Sequence, residues 1–412
     1  MHDTTALLRS AASDYTPADN SRFPKLHRRF PTTAYLRQHA RSHVPSFAFE
    51  YMDGGAGGDG GIARNWNAFD AIELVPRYGV TTTLPAVDIE LFGRRYSAPI
   101  GIAPMGGPSI VWPGADQYLA AAAQRARVPY VLGLVGGMMV EHAAEIAPDV
   151  LWFQLYRCFR NEHAIGFDLL RRAQAAGVHV LVLTADVPVR TTRPREVVAG
   201  ITSPFQPDLR MFAAILRSPG YLQSLWKHGQ PRFGNLKPYA GDTADVNEVA
   251  AFVRREMAGA FTWEEIGRYR ERWKAPLVVK GLLHPADAER CVSLGVDGII
   301  ISNHGGRQVE GLPPAIDVLP AIARAVGGRA TVMVDSGIRS GLDVVRAVAL
   351  GADAAFAGKA FLWGLGALGA EGPLHVIDLM IDEMRAAFGQ IGARRPAQAR
   401  SVVIRHPGAL HF

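Results

Sequence analysis

One stretch of this chain decides its fold: VDGIIISNHGGRQ, residues 296–308. Its first half is a short apolar run rich in β-branched residues, which is typical of a strand buried on both faces of a parallel sheet. Its second half places His304 and Arg307 just past the end of that strand, with two glycines between them that let the backbone turn sharply. The stretch therefore predicts a parallel strand whose carboxyl end carries reactive side chains.

Working outward, similar short apolar runs recur along the chain and alternate with amphipathic stretches such as Asn161–Ala176, Pro285–Leu294 and Gly341–Leu350. This alternation is typical of repeated βα units. The predicted strands are eight in number: Pro99–Ala103, Pro129–Leu132, Val150–Gln154, Val178–Thr184, Leu277–Lys280, Gly298–Ser302, Thr331–Asp335 and Ala354–Ala357.

Eight strands, each followed by a helix, predict an α/β fold of the (β/α)8 TIM barrel type, with the active site at the carboxyl ends of the strands. The alternative is an open doubly wound sheet. We discount it because the GxGxxG turn expected after its first strand is missing.

Three segments lie outside the eight predicted units. Residues 1–33 form a polar N-terminal arm, and residues 34–97 are expected to hold a helix and irregular pieces that cap the barrel. An insertion after strand 4, residues 197–261, is far longer than an ordinary connection. We therefore predict a barrel domain at 34–392, interrupted by the insertion, and a C-terminal tail at 393–412.

The middle of the insertion mixes apolar, aromatic and basic residues, in LRMFAAIL at 209–216 and YLQSLWK at 221–227. We favour a lid or an oligomer contact. The alternative is a patch that lies on a membrane surface, which such a composition permits.

The composition indicates a globular enzyme, because 48% of the 412 residues are hydrophobic and 20% are charged. The net charge of +6 comes from scattered arginines, and no nucleic-acid motif accompanies it. The two cysteines, Cys158 and Cys291, form no disulfide framework or metal site. Without a secretory pattern or a long apolar run, a cytoplasmic location is expected, with peripheral contact on the inner membrane as a further possibility.

The residues themselves suggest proton abstraction next to a carboxylate. A histidine such as His304 can accept a proton, and an arginine such as Arg307 can hold a carboxylate with two parallel hydrogen bonds. Asp186 follows the fourth predicted strand and could orient the imidazole, as the aspartate of a catalytic triad does.

These motifs resemble those of the FMN-dependent 2-hydroxy acid dehydrogenases and oxidases, a family that includes glycolate oxidase, lactate monooxygenase and mandelate dehydrogenase. The resemblance extends from about residue 34 to residue 392. It implies an FMN cofactor and the oxidation of an L-2-hydroxy acid to the 2-oxo acid. His304 would take either the α-proton or the hydroxyl proton, and Asp186 would stabilise the resulting imidazolium.

The resemblance also implies a set of substrate contacts. Arg193 and Arg307 would hold the carboxylate, with Arg195 as a nearby competitor for the first of these roles. Tyr51 would bond the same carboxylate, and Tyr156 would contact the substrate hydroxyl.

For the flavin, the resemblance implies that Lys280 faces the N1–O2 edge and that Gln154 and Thr184 bond the pyrimidine ring. Arg339 would bind the phosphate and Asp335 the ribityl hydroxyls. The complete predicted cofactor set is Pro104, Met105, Gly106, Gln154, Thr184, Lys280, Ser302, Asp335, Ser336, Gly337, Arg339, Gly358 and Lys359, without a metal ion.

Three departures from the family pattern bear on function. Gly106 and Gly133 replace larger residues of many relatives, so we expect more room at the flavin and a substrate bulkier than glycolate, such as a mandelate-like or lactate-like acid. Lys359 stands where an arginine is usual. Gly106 also favours a dehydrogenase or a monooxygenase over an oxidase, which leaves oxygen, a quinone or a separate carrier as the electron acceptor.

Two other functions are weighed against this one. An FMN-dependent isomerase on a similar barrel would not need the carboxylate-binding set, and a non-catalytic barrel would have lost catalytic positions. The expected partners are a small 2-hydroxy acid and further copies of the chain, as a homotetramer or octamer, without nucleic acid.

Overall fold

A computed structural model describes residues 15–80, 84–189, 191–201, 205–241 and 243–412. Its centre is a closed barrel of eight parallel strands. In chain order these are β1 Ile100–Ile102, β2 Tyr130–Gly133, β3 Leu151–Leu155, β4 Val180–Thr184, β5 Leu277–Leu282, β6 Gly298–Ile301, β7 Thr331–Val334 and β8 Ala354–Ala357.

The barrel closes because β8 pairs in parallel with β1, where Ala355 lies opposite Ile100. Its interior is filled by side chains, among them Trp152 and Phe356, whose rings lie 5.4 Å apart. Gly101 is needed at this level, because a Cβ there would stand 2.3 Å from the Phe356 ring. The predicted (β/α)8 TIM barrel is therefore confirmed.

Three predicted strands extend one residue too far at their carboxyl ends, to Ala103, Ser302 and Asp335. After β6, side-chain hydroxyls take over from the ladder of backbone hydrogen bonds. Ser302 Oγ accepts the backbone N–H of His304 at 3.0 Å, and Ser336 Oγ accepts that of Asn303 at 3.1 Å. The chain therefore leaves the sheet where its polar side chains begin.

Each strand is followed by a helix that packs outside the barrel. In order, these helices are Ala115–Ala126, Val140–Ile146, Arg160–Ala175, Trp263–Arg272, Pro285–Ser293, Ala315–Val326, Gly341–Ala349 and Lys359–Leu368, and a C-terminal helix, Gly372–Gln390, follows the last. Short 3-10 turns lie at Pro17–Asp19, Pro108–Ile110, His304–Gly306, Gly369–Glu371 and Pro396–Ser401.

The N-terminal part contains more helix than the single one expected within residues 34–97. The helices there are Phe23–Arg29, Thr33–His43, Ser46–Asp53 and Gly60–Asp70, followed by a hairpin of Ile89–Leu91 and Arg94–Tyr96. Helix Thr33–His43 packs closely on the barrel helix Lys359–Leu368 because small residues face each other there. A Cβ on Gly366 would lie 3.1 Å from the Cβ of Ala40. The tail returns to this part of the chain, where Val403–Arg405 pairs with Glu73–Val75.

The insertion after β4 is largely helical in its described part, with helices Pro194–Val198, Leu209–Leu216, Pro219–His228, Lys237–Ala240 and Val246–Glu256. Met211 and Tyr221 are buried, whereas Leu209 and Trp226 are 86% and 89% exposed. Within the described ranges, no helix has both the length and the apolar character that crossing a membrane requires. The domain boundaries drawn from the sequence stay predictions.

Candidate active site

The carboxyl ends of the barrel strands open into one large cavity of about 1170 Å³. Most of the predicted site residues border it: Tyr51, Pro104, Met105, Gly106, Tyr156, Thr184, Arg193, Lys280, His304, Arg307, Asp335, Ser336, Gly337, Arg339, Gly358 and Lys359. The remaining three, Gln154, Asp186 and Ser302, are tied to this wall by hydrogen bonds or by their place at a strand end.

His304 and Asp186 meet at the cavity, where Nδ1 of the imidazole lies 3.0 Å from Oδ1 of the carboxylate. The tight turn after β6 makes this contact possible, since His304 itself has a φ of +58° and Gly305 one of +66°. Burial acts to raise the pKa of Asp186, but His304 and Lys280 outweigh it and lower that pKa overall. A carboxylate is thus held against one ring nitrogen, which leaves Nε2 for a ligand.

Lys280, near the carboxyl end of β5, is a buried cation surrounded by polar groups. Its Nζ lies 2.8 Å from Ser302 Oγ, 3.1 Å from Asp335 Oδ2 and 4.0 Å from Asp186 Oδ2. Burial acts to lower the pKa of Lys280, yet the two carboxylates raise it overall. A positive charge therefore stands at the base of the cavity, where it can stabilise negative charge on a bound ring.

Two buried polar atoms at neighbouring strand ends have no protein partner among the described residues. Gln154 uses its Oε1 to accept the N–H of Leu134 at 3.2 Å, but its Nε2 has none, and neither has Thr184 Oγ1. Buried polar groups are rarely left unpaired, so such atoms indicate a ligand. A flavin pyrimidine edge, rich in carbonyl and ring N–H groups, fits both atoms and the nearby Lys280.

The loop after β7 is braced against the loop after β6. Ser336 Oγ donates to Asp335 Oδ1 at 2.7 Å and accepts the backbone N–H groups of Asn303 and Gly305 at 3.1 and 2.9 Å. Gly337 has a φ of +108°, which a larger residue would adopt only with strain. The hydroxyl of Ser336 thus holds the turn that carries His304.

Arg339 and Lys359, two basic residues of the predicted cofactor set, have protein partners in this structure. Arg339 Nη2 lies 2.7 Å from Asp70 Oδ1. Lys359 donates to the carbonyl oxygens of Met52, Asp53 and Gly54 at 3.0, 3.0 and 2.8 Å. Those carbonyls end helix Ser46–Asp53, so Lys359 caps the helix that carries Tyr51. Burial, followed by the charge of Arg307, holds the pKa of Lys359 well below its usual value.

Arg193 and Arg307 lie side by side at the cavity wall, and we call the two guanidinium groups the carboxylate clamp. Arg193 Nε donates to the backbone carbonyl of Arg307 at 3.1 Å, which fixes their relative position. The Arg307 guanidinium lies over the ring of Tyr51, 5.2 Å from its centroid. The Tyr51 hydroxyl donates to the backbone carbonyl of Gly106. Burial, with a contribution from Asp186, raises the pKa of Tyr156 to about 12, so this hydroxyl stays protonated.

Arg195, the competitor for the first clamp position, is occupied elsewhere. It binds Glu50, and it lies 2.8 Å from Asp59 and 3.3 Å from Asp53. These contacts fasten the start of the insertion to the N-terminal helices. Arg193, which borders the cavity, is therefore the better candidate for substrate binding.

Two polar residues near the site had no role in the sequence prediction. Glu196 contacts both clamp arginines, and its signal was an acidic side chain three residues after Arg193. Asn303 pairs with Asn65 through two amide hydrogen bonds of 2.7 and 2.9 Å, which fasten the loop after β6 to helix Gly60–Asp70. In the sequence, the only indication of a role for Asn303 was its position as a polar amide directly after a buried strand.

The expectation that Gly106 and Gly133 leave extra room is wrong. A Cβ on Gly106 would stand 2.8 Å from Val135 Cγ2, and one on Gly133 would stand 2.8 Å from the carbonyl oxygen of Met105. Neighbouring atoms thus occupy the space next to these glycines. Any extra room for substrate must come from another wall of the cavity.

Fold and site together define a class: a flavin-binding (β/α)8 barrel dehydrogenase with a histidine–aspartate pair at the cavity. The model of the FMN-dependent dehydrogenase family matches residues 40–406, and the chain belongs to that family. FMN is accordingly its cofactor, as the sequence predicted.

Curated relatives match over most of their length. An L-lactate dehydrogenase of Pectobacterium atrosepticum is 36% identical over 366 residues, 89% of this chain and 94% of that protein. An L-lactate dehydrogenase of Alcaligenes faecalis is 35% identical over 375 residues, 90% of this chain and 98% of that protein.

Solved structures give the same family. The monotopic membrane protein (S)-mandelate dehydrogenase has a TM-score of 0.86 and 32% identity, covering 91% of this chain and 99% of its own. A mandelate oxidase with (S)-4-hydroxymandelic acid has a TM-score of 0.79 and 33% identity, covering 92% of this chain and 100% of its own.

Proposed function

We propose that this FMN-dependent dehydrogenase oxidises the CH–OH group of an L-2-hydroxy acid to the 2-oxo acid, with His304 as the base. The observation that carries the proposal is the 3.0 Å contact between His304 Nδ1 and Asp186 Oδ1 at the wall of the cavity. With Nδ1 held by Asp186, Nε2 is the ring nitrogen left to accept a proton, and the two clamp arginines border the same cavity.

Each residue has a distinct part in the proposed reaction. Arg193 and Arg307 hold the substrate carboxylate, and the protonated Tyr156 donates to the substrate hydroxyl. His304 takes a proton from the substrate and becomes an imidazolium, which Asp186 stabilises. FMN, when bound, accepts the two electrons, and Lys280 provides positive charge beside it.

A bulky substrate, mandelate-like or lactate-like, is supported by the wall that the insertion contributes. The apolar side chains of Met211, Ile215, Tyr221, Leu225 and Val253 border the cavity. An apolar wall of this extent favours an aryl or alkyl group over the hydrogen of glycolate. The mandelate enzymes and lactate dehydrogenases among the relatives agree with this preference.

The direct test is anaerobic addition of 2-hydroxy acids to the purified yellow protein. We expect (S)-mandelate or L-lactate to bleach the flavin absorbance, with a faster rate than glycolate gives. An FMN-dependent isomerase would not be bleached by these acids, so an unchanged spectrum would contradict the proposal.

We further propose that a quinone or a comparable carrier receives the electrons, at a membrane surface. Leu209, Leu216 and Trp226 in the insertion are 86%, 70% and 89% exposed, which is unusual for large apolar side chains grouped in one segment. The similar (S)-mandelate dehydrogenase is a monotopic membrane protein. After anaerobic reduction, a soluble quinone should reoxidise the flavin faster than air-level oxygen does. Oxygen reoxidation at the turnover rate would instead indicate an oxidase or a monooxygenase.

A further inference from the structure

The carboxylate clamp already contains a carboxylate of the protein. Glu196 Oε1 lies 2.5 Å from Arg307 Nη2 and 3.3 Å from Arg193 Nη1. Glu196 belongs to helix Pro194–Val198, at the start of the insertion, and its side chain is only 14% exposed. Because water screens such a charge poorly, Glu196 affects whatever the two arginines bind.

The other contacts of the clamp are neutral. Arg307 Nη1 donates to the backbone carbonyls of Tyr51 and Gly54, at 3.0 and 2.8 Å, and Arg193 Nε donates to a third carbonyl. Among the residues that the structure describes, Glu196 is the one carboxylate within hydrogen-bonding distance of either guanidinium. Two arginines and one glutamate leave these three side chains with a single net positive charge.

We infer that Glu196 determines the charge specificity of the clamp and restricts it to head groups with one negative charge. The inference rests on the proposed function, in which the clamp holds a substrate carboxylate. One carboxylate neutralises the three side chains, whereas a phosphonate or phosphate dianion would leave an excess negative charge in a half-buried site. Uncompensated buried charge is costly, so a dianionic head group is rejected.

The test compares ligands that differ in the charge of the head group. Pyruvate is a monoanion, acetylphosphonate carries a dianionic head on the same acyl group, and the monomethyl ester of acetylphosphonate restores the single charge. Calorimetric titration of the FMN-loaded protein gives the affinity for each. In Glu196→Gln, the affinity for acetylphosphonate relative to pyruvate should rise about tenfold or more, because a like charge has been removed. The affinity for the monomethyl ester should change in the same way as the affinity for pyruvate.

Two further variants make the result specific. Glu196→Asp keeps the charge and should keep the wild-type preference for monoanions, even if both affinities fall. Glu50→Gln removes a charge from the neighbouring Arg195 contacts and should leave the preference unchanged.

An equal gain for pyruvate and acetylphosphonate in Glu196→Gln would mean that Glu196 merely competes for the clamp, and an equal loss would mean that it only holds the arginines in place. Either result would overturn the inference. A wild-type protein that binds neither pyruvate nor 2-hydroxy acids would instead contradict the proposed function, and the inference with it.

Discussion

Several residues of this site carry buried charges. Each of these charges would be unfavourable if it had no partner of opposite sign. Lys280 is kept charged by Asp335 and Asp186, and Asp186 by His304 and Lys280. Each of these buried ions has a partner of opposite charge, which offsets the cost of burying it.

The clamp arginines give a prediction at this scale. Arg193→Lys and Arg307→Lys should each lower kcat/KM by about one to two decades, since a charge-assisted bond of about 1.5–3 kcal/mol is lost and an ammonium cannot replace a planar fork. Steady-state kinetics with a 2-hydroxy acid measures this. Arg195→Lys is the matched control and should affect mainly stability. A large kinetic loss in Arg195→Lys, with Arg193→Lys unaffected, would show that the wrong arginine has been assigned.

At the residue scale, the sequence could predict which side chains converge, because the carboxyl ends of parallel barrel strands all face one cavity. It could not predict how those side chains pair. Lys359 contacts three carbonyls of the N-terminal helices, and these contacts depend on how separate segments pack. The extra room expected at Gly133 is absent for a similar reason, since the backbone of Met105 occupies that space.

At the scale of elements, strands were easier to predict than capping helices. The barrel strands are continuous apolar runs, and such runs are buried wherever they lie. Helix Thr33–His43 is mostly polar, with Leu36 and Ala40 as its buried apolar residues, so its sequence gives a weak signal. Its stability comes instead from packing on helix Lys359–Leu368, which only the tertiary structure shows.

One half-buried carboxyl group, that of Glu383, links two elements and predicts a pH effect on stability. Glu383, on helix Gly372–Gln390, accepts the backbone N–H of Gly341 at 2.6 Å, and burial, aided by Asp343, raises its pKa to about 7. A raised carboxyl pKa favours the folded state below the ordinary value of 4.5, and this contribution is lost as the pH rises through about 7.

Glu383→Gln keeps the acceptor and removes the titration. Denaturant unfolding at several pH values should show that the variant is about 1–3 kcal/mol more stable than wild type above pH 7 but not at pH 4. The exposed Glu289→Gln is the control and should parallel wild type throughout. If the free energy of unfolding of Glu383→Gln also paralleled that of wild type at every pH, the prediction would be contradicted.

The outer face of the insertion gives another prediction. Substituting Leu209, Leu216 and Trp226 together with serine should abolish liposome binding and leave activity with a soluble dye unchanged, because these side chains do not border the cavity. Vesicle co-sedimentation and a dye assay measure the two properties. A serine triple variant at Tyr78, Leu84 and Val403, which are equally exposed outside the insertion, is the control. Loss of dye activity in the first variant would favour a lid or a structural contact.

For the whole molecule, one end of the barrel collects groups from distant parts of the chain. Tyr51 comes from the N-terminal helices, Arg193 from the loop after β4, and His304 and Arg307 from the loop after β6. The domain limits and the expected homotetramer or octamer stay predictions. The proposed reaction depends mainly on the histidine at the centre of this arrangement.

The most direct measurement is anaerobic stopped-flow reduction of the flavin by a 2-hydroxy acid in His304→Ala. Loss of a general base typically costs about 10²–10⁴ in rate, so we expect reduction to slow at least a hundredfold while FMN stays bound. His406→Ala is the matched control: it removes a histidine that contacts Asp317 at 2.8 Å outside the cavity, and its reduction should match wild type. Reduction of His304→Ala within about tenfold of the wild-type rate would contradict the assignment of His304 as the base.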